Sequence, residues 1–241
     1  MSETDPVAAR YLGASYLQNN PSWDSEDSPW KASKVREILA ANDIRPRSLV
    51  DVGCGAAIVL AELKRAYPEA RLAGFDIAPD AERFWAQPRA SGIELTIGDF
   101  TAATTGAFDV LLALDVLEHL QDPFAFLSRI RGRARQYVFH FPLDLSAASV
   151  LRETPLLHVR HKVGHVHYYT RNLALALLTD CGYGILDARY TGAAFTAPQR
   201  SLKTWLASLP RRTARMLNTD WGVRLFGGET LMVLATDKGP T

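Results

Sequence analysis

The sequence predicts an α/β fold: a doubly wound sheet of seven strands, mostly parallel, with an antiparallel last strand. Three observations predict it. Short, continuously apolar runs such as "SLVDV" and "FDVLLAL" suit strands buried on both faces of a parallel sheet. These runs alternate with helix-like stretches, the pattern of βαβ units. The alternation then fails at the end of the chain, where no simple crossover joins the last two runs and the final strand is free to insert antiparallel.

The strands are expected at 47–52, 71–76, 93–98, 108–114, 136–141, 184–190 and 229–236. Helices are expected at 58–67, 81–86, 122–133 and 171–181. The last begins after Thr170, a suitable N-cap, and ends at Gly182, a suitable C′ glycine. Three regions fall outside this core: an N-terminal cap at 1–36, and insertions at 142–169 and 192–228. The 241 residues are therefore read as a single domain. Ligands of open α/β sheets bind outside the carboxyl ends of the strands, and the two insertions leave from such ends.

Composition narrows the class of partner. The chain carries 27 basic and 26 acidic side chains, so nothing marks a polyanion such as nucleic acid as its partner. Two cysteines, Cys54 and Cys181, make neither a disulfide framework nor a metal-binding pattern. Reduced intracellular thiols, a polar acidic N-terminus and the lack of a ~20-residue apolar run lead us to expect a cytoplasmic protein.

The chemistry starts at "SLVDVGCGAAIVLAEL", a strand, a glycine turn and a helix. A triphosphate loop needs Gly-Lys-Ser/Thr, and after the Gly53–Gly55 turn no lysine follows until Lys64. A dinucleotide turn wants a small third fingerprint residue, but Ile58 stands there. S-adenosylmethionine carries no phosphate. It asks for a turn free of side chains and an acidic residue near its amino group, which Gly53, Cys54, Gly55 and Asp51 supply. Strand-end signals follow in order. Asp76, followed by Ile77, ends strand two, 25 residues after Asp51, where a carboxylate can accept from ribose hydroxyls. "IGDF" ends strand three with Asp99 and Phe100, and "LALDVLEHLQDP" ends strand four with Asp115.

This set resembles the class I S-adenosylmethionine-dependent methyltransferases, whose first motif reads roughly D/E-x-G-x-G-x-G and whose fourth reads D-V-x-E-H followed by an acidic residue and proline. The resemblance covers about 48–190 and the last strand. It implies a Rossmann-like sheet and S-adenosylmethionine as cofactor. It also implies that Asp99 accepts from the adenine amino group while Phe100 packs on the ring. Ala57 departs from the last glycine of the first motif, and alanine at positive φ would be strained by roughly 1 kcal/mol or more. "SPWK" places Trp30 and Lys31 near the cofactor when the N-terminal segment closes.

If the acceptor is a hydroxyl, a base must take its proton, and histidine suits neutral pH. His140, at the end of strand five, and His165, in "VGHVHYYT", are the candidates; His119 is expected to order the helix after strand four. No metal site is expected: His165-x-His167 lacks further evident ligands. The nucleophile and amino-methylation motifs of DNA methyltransferases are absent. "EDSPWKA", "FHFPLDLS" and "VGHVHYYT" resemble methyltransferases of bacterial glycan assembly, which implies a sugar, glycan precursor or other small-molecule hydroxyl as acceptor. The run 201–217 mixes apolar and basic residues at helical spacing. It suits peripheral contact with an anionic membrane, or more simply a lid helix broken at Pro210. Two other readings remain open: an NAD(P)-binding oxidoreductase, and a catalytically silent cofactor-binding partner subunit.

Overall fold

The computed structural model describes residues 25–104, 106–192 and 218–238, with two isolated positions at 7 and 9. The cap residues before 25 and the amphipathic run 201–217 lie outside the described residues. Seven strands form one sheet: β1 (Ser48–Val52), β2 (Arg71–Asp76), β3 (Glu94–Ile97), β4 (Phe108–Leu114), β5 (Ala134–Pro142), β6 (Tyr183–Tyr190) and β7 (Thr230–Asp237). Their order is β3-β2-β1-β4-β5-β7-β6. β1 through β5 pair in parallel, and β7 runs antiparallel between β5 and β6. The strand order reverses between β1 and β4, so the sheet opens a crevice at their carboxyl ends.

Each face of the sheet carries its own core. On one face Leu49, Leu72, Val110, Leu112 and Leu234 meet helices α1 (Ser28–Ala41) and α2 (Ile58–Ala66) through Val35, Ile38, Leu39, Leu60 and Leu63. On the other, Val50, Phe75, Leu111, Phe139 and Tyr183 belong to a core completed by Leu127 and Ile130 of α4 (Pro123–Ile130) and by Leu177 and Leu178 of α7 (Arg171–Asp180). Between α2 and α4 in sequence, a 3₁₀ turn (Pro79–Phe84) leads into the short α3 (Ala86–Ala90). That pair stands where one helix at 81–86 was expected. Pro79 fixes the turn's first residue, and Trp85, fully buried, sits at the junction.

Helix ends follow their caps. Asp122 accepts from the Ala125 amide ahead of Pro123, and Thr170 accepts from the Leu173 amide. α4 stops at Ile130, short of the expected 133, because the chain turns through Gly132 at φ 78°. The expected cap boundary at residue 36 falls inside α1. This is a core helix: Ala32, Val35, Ile38 and Leu39 are buried. After β5 the chain forms α5 (Ala147–Arg152), opened by a Ser146–Ser149 capping box, and α6 (Thr154–Lys162). α8 (Thr219–Phe226) precedes β7, capped by Asn218. No helix among the described residues is long and apolar enough to cross a membrane.

Candidate active site

The turn after β1 is tied to the end of β2. The Gly53 and Cys54 amides donate to the Phe75 carbonyl at 2.7 and 3.1 Å. The Gly55 amide donates to Asp76 Oδ2 at 2.8 Å, and the Ala78 amide donates to Asp76 Oδ1 at 2.9 Å. Trp85 Nε1 donates to the Gly55 carbonyl at 2.8 Å. Gly53 has φ 80°, and a Cβ there would stand 2.7 Å from Val116 Cγ2, so glycine is demanded twice over. Ala57 adopts φ 59°, the left-handed conformation expected to be strained, and N-caps α2. The turn thus presents bare backbone to the crevice and holds its shape through Asp76.

Asp51 is buried, and its Oδ1 has no hydrogen-bond partner. Burial, and then repulsion from Asp76, push its carboxyl up to about 7, against the opposing pull of Lys31. Asp76 is also raised by burial, while the amides of Ala78 and Gly55 oppose the shift.

A cavity of about 270 Å³ opens over this turn. It brings together Trp30 and Lys31 from α1, Asp51 on β1, Gly53, Cys54 and Gly55 from the turn, Asp115 after β4, and His140 on β5. Lys31 Nζ lies 2.7 Å from Asp115 Oδ2, and His140 Nδ1 lies 2.6 Å from Asp115 Oδ1. Burial acts upward on Asp115, but His140 and Lys31 outweigh it and hold the carboxyl far below its usual range. His140 Nε2 meets Thr230 Oγ1 at 2.8 Å, and Thr230 in turn meets Thr191 Oγ1. Trp30 stands edge-on to the His140 ring, with centroids 6.1 Å apart. Asp115 itself has φ 53°, a strained conformation that turns its carboxylate to these partners.

The far wall of the cavity holds Glu118, His119 and His165. His165 Nδ1 lies 2.6 Å from Asp144 Oδ2, which fixes the ring. The His119 and His165 rings meet edge to face at 4.9 Å. Burial, then His165, push the His119 imidazole down to about 3, so it is neutral at physiological pH. Glu118 was not singled out from the sequence. The signal was an acid inside the apolar run "DVLEHL", and the Glu118 side chain is fully buried.

Four expected residues stand apart from this cavity. Asp76 ends β2 behind the turn and Ile77 follows it; Asp99 accepts from the Thr101 amide and hydroxyl at 2.8 Å each. Phe100 is 1% exposed, edge-on to Phe75 at 5.2 Å with Arg133 over its ring at 4.5 Å. It is core, and no face of it is open to an adenine; its position under the Asp99 turn buries it. His140 likewise has both ring nitrogens engaged and is 1% exposed, which leaves no nitrogen to meet an acceptor.

Residues 26–187 match the model of a methyltransferase domain family. The chain belongs to that family. Among curated proteins it is 31% identical over 125 residues to the ubiquinone biosynthesis O-methyltransferase of Cereibacter sphaeroides, covering 50% of this chain and 47% of that one. It is 27% identical over 120 residues to the enzyme of the same name from Xanthomonas oryzae pv. oryzae, covering 44% and 48%. The chain spans about half the length of the curated relatives it matches. Among solved structures, magnesium protoporphyrin IX methyltransferase from Synechocystis, bound to S-adenosylhomocysteine, superposes with a TM-score of 0.58 at 17% identity over 87% of this chain and 83% of that one. At that identity the likeness establishes the class I methyltransferase fold.

Proposed function

We propose that this chain transfers a methyl group from S-adenosylmethionine to a hydroxyl of a small molecule. The observation that carries the reading is the cavity's charge. Asp51, Asp115 and Glu118 line the same cavity as the side-chain-free turn, and Lys31 is the one Lys or Arg among the described lining residues. A pyrophosphate would be repelled there, whereas an ammonium and a sulfonium are attracted. This argues against the dinucleotide reading, as does Ile58 at the third fingerprint position.

In this reading Asp51 takes the cofactor's ammonium, and the Gly53–Gly55 backbone lies along its amino-acid portion. Lys31 meets the cofactor carboxylate, with Trp30 beside it. Asp76, already organised by the Gly55 and Ala78 amides, has lone pairs left for the ribose hydroxyls. Ile77 and Asp99 border the adenine, and Phe100 supports that wall from within the core. His140 holds Asp115 and Thr230 in place, so its role is positioning. The acceptor hydroxyl sits at the Glu118–His119–His165 corner, where His165 Nε2 has no hydrogen-bond partner among the described residues. Methyl transfer is an in-line displacement, so the enzyme's work is alignment, water exclusion and removal of the hydroxyl proton.

The names of the curated relatives support a small-molecule O-methylation. A sugar or sugar-linked hydroxyl remains the acceptor that the sequence suggests. The test is transfer of labelled methyl from S-adenosylmethionine to parallel panels of phenolic acceptors, sugar nucleotides and lipid-linked glycans. Methylation of a hydroxyl in any panel supports the reading. Transfer to amines alone would overturn O-methylation.

A further inference from the structure

We propose that Glu118, His119 and His165 form a binding site for one divalent transition cation of the zinc type, placed to receive the acceptor oxygen. Each offers one ligand atom, and these atoms lie within 4.8 Å of one another on the cavity wall. His119 Nε2 is already 3.9 Å from Glu118 Oε1. A tetrahedral cation ~2.1 Å from each ligand sets them ~3.4 Å apart, so rotations of a little over 1 Å close the site.

Two independent features point to a ligand. First, Glu118 is fully buried, yet neither of its carboxylate oxygens has a hydrogen-bond partner. A buried carboxylate without partners is costly, and native proteins resolve such groups with an ion or a proton. Second, Asp144 binds His165 Nδ1, which fixes the tautomer that points the Nε2 lone pair away from Asp144. A carboxylate–histidine pair of this kind commonly orients a metal-ligating imidazole. Two imidazoles and one carboxylate select a borderline cation such as Zn²⁺ over Mg²⁺, which prefers an all-oxygen shell. Three protein ligands leave a fourth position for an oxygen bound in the cavity that all three line.

This inference deepens the O-methylation reading and rests on it for the cation's role. Bound to the cation, the acceptor hydroxyl loses its proton to solvent near neutral pH. Its oxygen then forms a bond to the methyl carbon as the carbon–sulfur bond breaks. The electron pair stays on sulfur, and the sulfonium becomes a neutral thioether.

The experiment is calorimetric titration of the chelator-stripped full chain with Zn²⁺ and with Mg²⁺, and with Co²⁺ followed by visible absorption. Wild type should bind one equivalent of Zn²⁺ far more tightly than Mg²⁺, and Co²⁺ should give ligand-field bands of a low-coordinate site. His165→Ala should abolish the bands, and Asp144→Asn should weaken Zn²⁺ about 10- to 100-fold. Each variant's cooperative thermal unfolding reports its fold; if His165→Ala fails to fold, Asp144→Asn decides. No saturable Zn²⁺ binding by wild type, or unchanged binding by the folded variants, overturns the proposal. S-adenosylhomocysteine, titrated in parallel, separates the two readings. Binding of it without Zn²⁺ sinks the cation site alone, and failure to bind it sinks the methyl-transfer reading.

Discussion

Asp51→Asn should stabilise the cofactor-free protein, and do so more at high pH than at low. Asp51 is 3% exposed, one of its oxygens has no partner, and its carboxyl is raised from an ordinary 3.8 to about 7. An acid whose folded pKa is raised keeps its proton in the folded state while the unfolded chain releases it. Stability is therefore lost as pH climbs from about 4 towards 7, and levels off above. At ~1.4 kcal/mol per pH unit, the raised carboxyl costs the folded state roughly 2 kcal/mol at pH 5 and roughly 4 kcal/mol at pH 8. An asparagine of nearly the same shape does not titrate, so the variant's advantage should grow by at most roughly 2–3 kcal/mol between those pH values. Urea unfolding of both proteins at pH 5 and pH 8, without cofactor, measures it. The same variant should bind S-adenosylmethionine more weakly, because the carboxylate that faces the ammonium is gone. An advantage that does not change with pH, or a loss of stability at pH 8, would refute the electrostatic account of the turn.

Other consequences follow from the same geometry. Gly53→Ala should destabilise the fold by roughly 1–3 kcal/mol, since its Cβ would stand 2.7 Å from Val116 Cγ2 at φ 80°. Adding Val116→Ala should recover only the part due to the clash, as a double-mutant denaturation cycle would reveal. Ala57→Gly should raise stability by roughly 0.5–1 kcal/mol, because strain at φ 59° outweighs the entropy of glycine; a lower thermal midpoint would contradict it. Asp76→Ala should weaken S-adenosylhomocysteine binding by roughly 1.5–3 kcal/mol, through lost ribose contacts and a loosened Gly55 turn, and unchanged calorimetric affinity would remove both roles. His140→Ala should lower stability and turnover together. A stable variant with a shifted pH–rate profile would instead restore His140 as the base.

Much of this architecture is legible in the sequence because a parallel sheet buried on both faces demands continuous apolar runs. "RLAGFD" and "FDVLLAL" coincide with β2 and β4, residue for residue. The antiparallel insertion of β7 follows from the missing crossover before it. Strand-end acids mark the crevice for the same reason: Asp51 and Asp115 stand where the sheet's carboxyl ends open. Other features were hidden by tertiary context. α1 contains Pro29 and Trp30 and follows an acidic stretch, so its lower half read as a cap although its upper half is core. α5 and α6 lie in a histidine-rich segment with weak periodicity, and no residue of α6 is buried. The aromatic ring of Phe100 was expected on the cofactor because sequence gives strand ends but not side-chain direction; the turn capped by Asp99 aims it inward. Glu118 was missed because an acid between leucines reads as one polar interruption of an apolar run, and only burial exposes its lack of partners.

The most direct test of the central claim is calorimetric titration of the full chain with S-adenosylhomocysteine, S-adenosylmethionine and NAD in parallel. The account predicts micromolar or tighter binding of the first two, lost affinity in Asp51→Asn, and no heat from NAD. Binding of NAD with neither sulfur compound bound would contradict it.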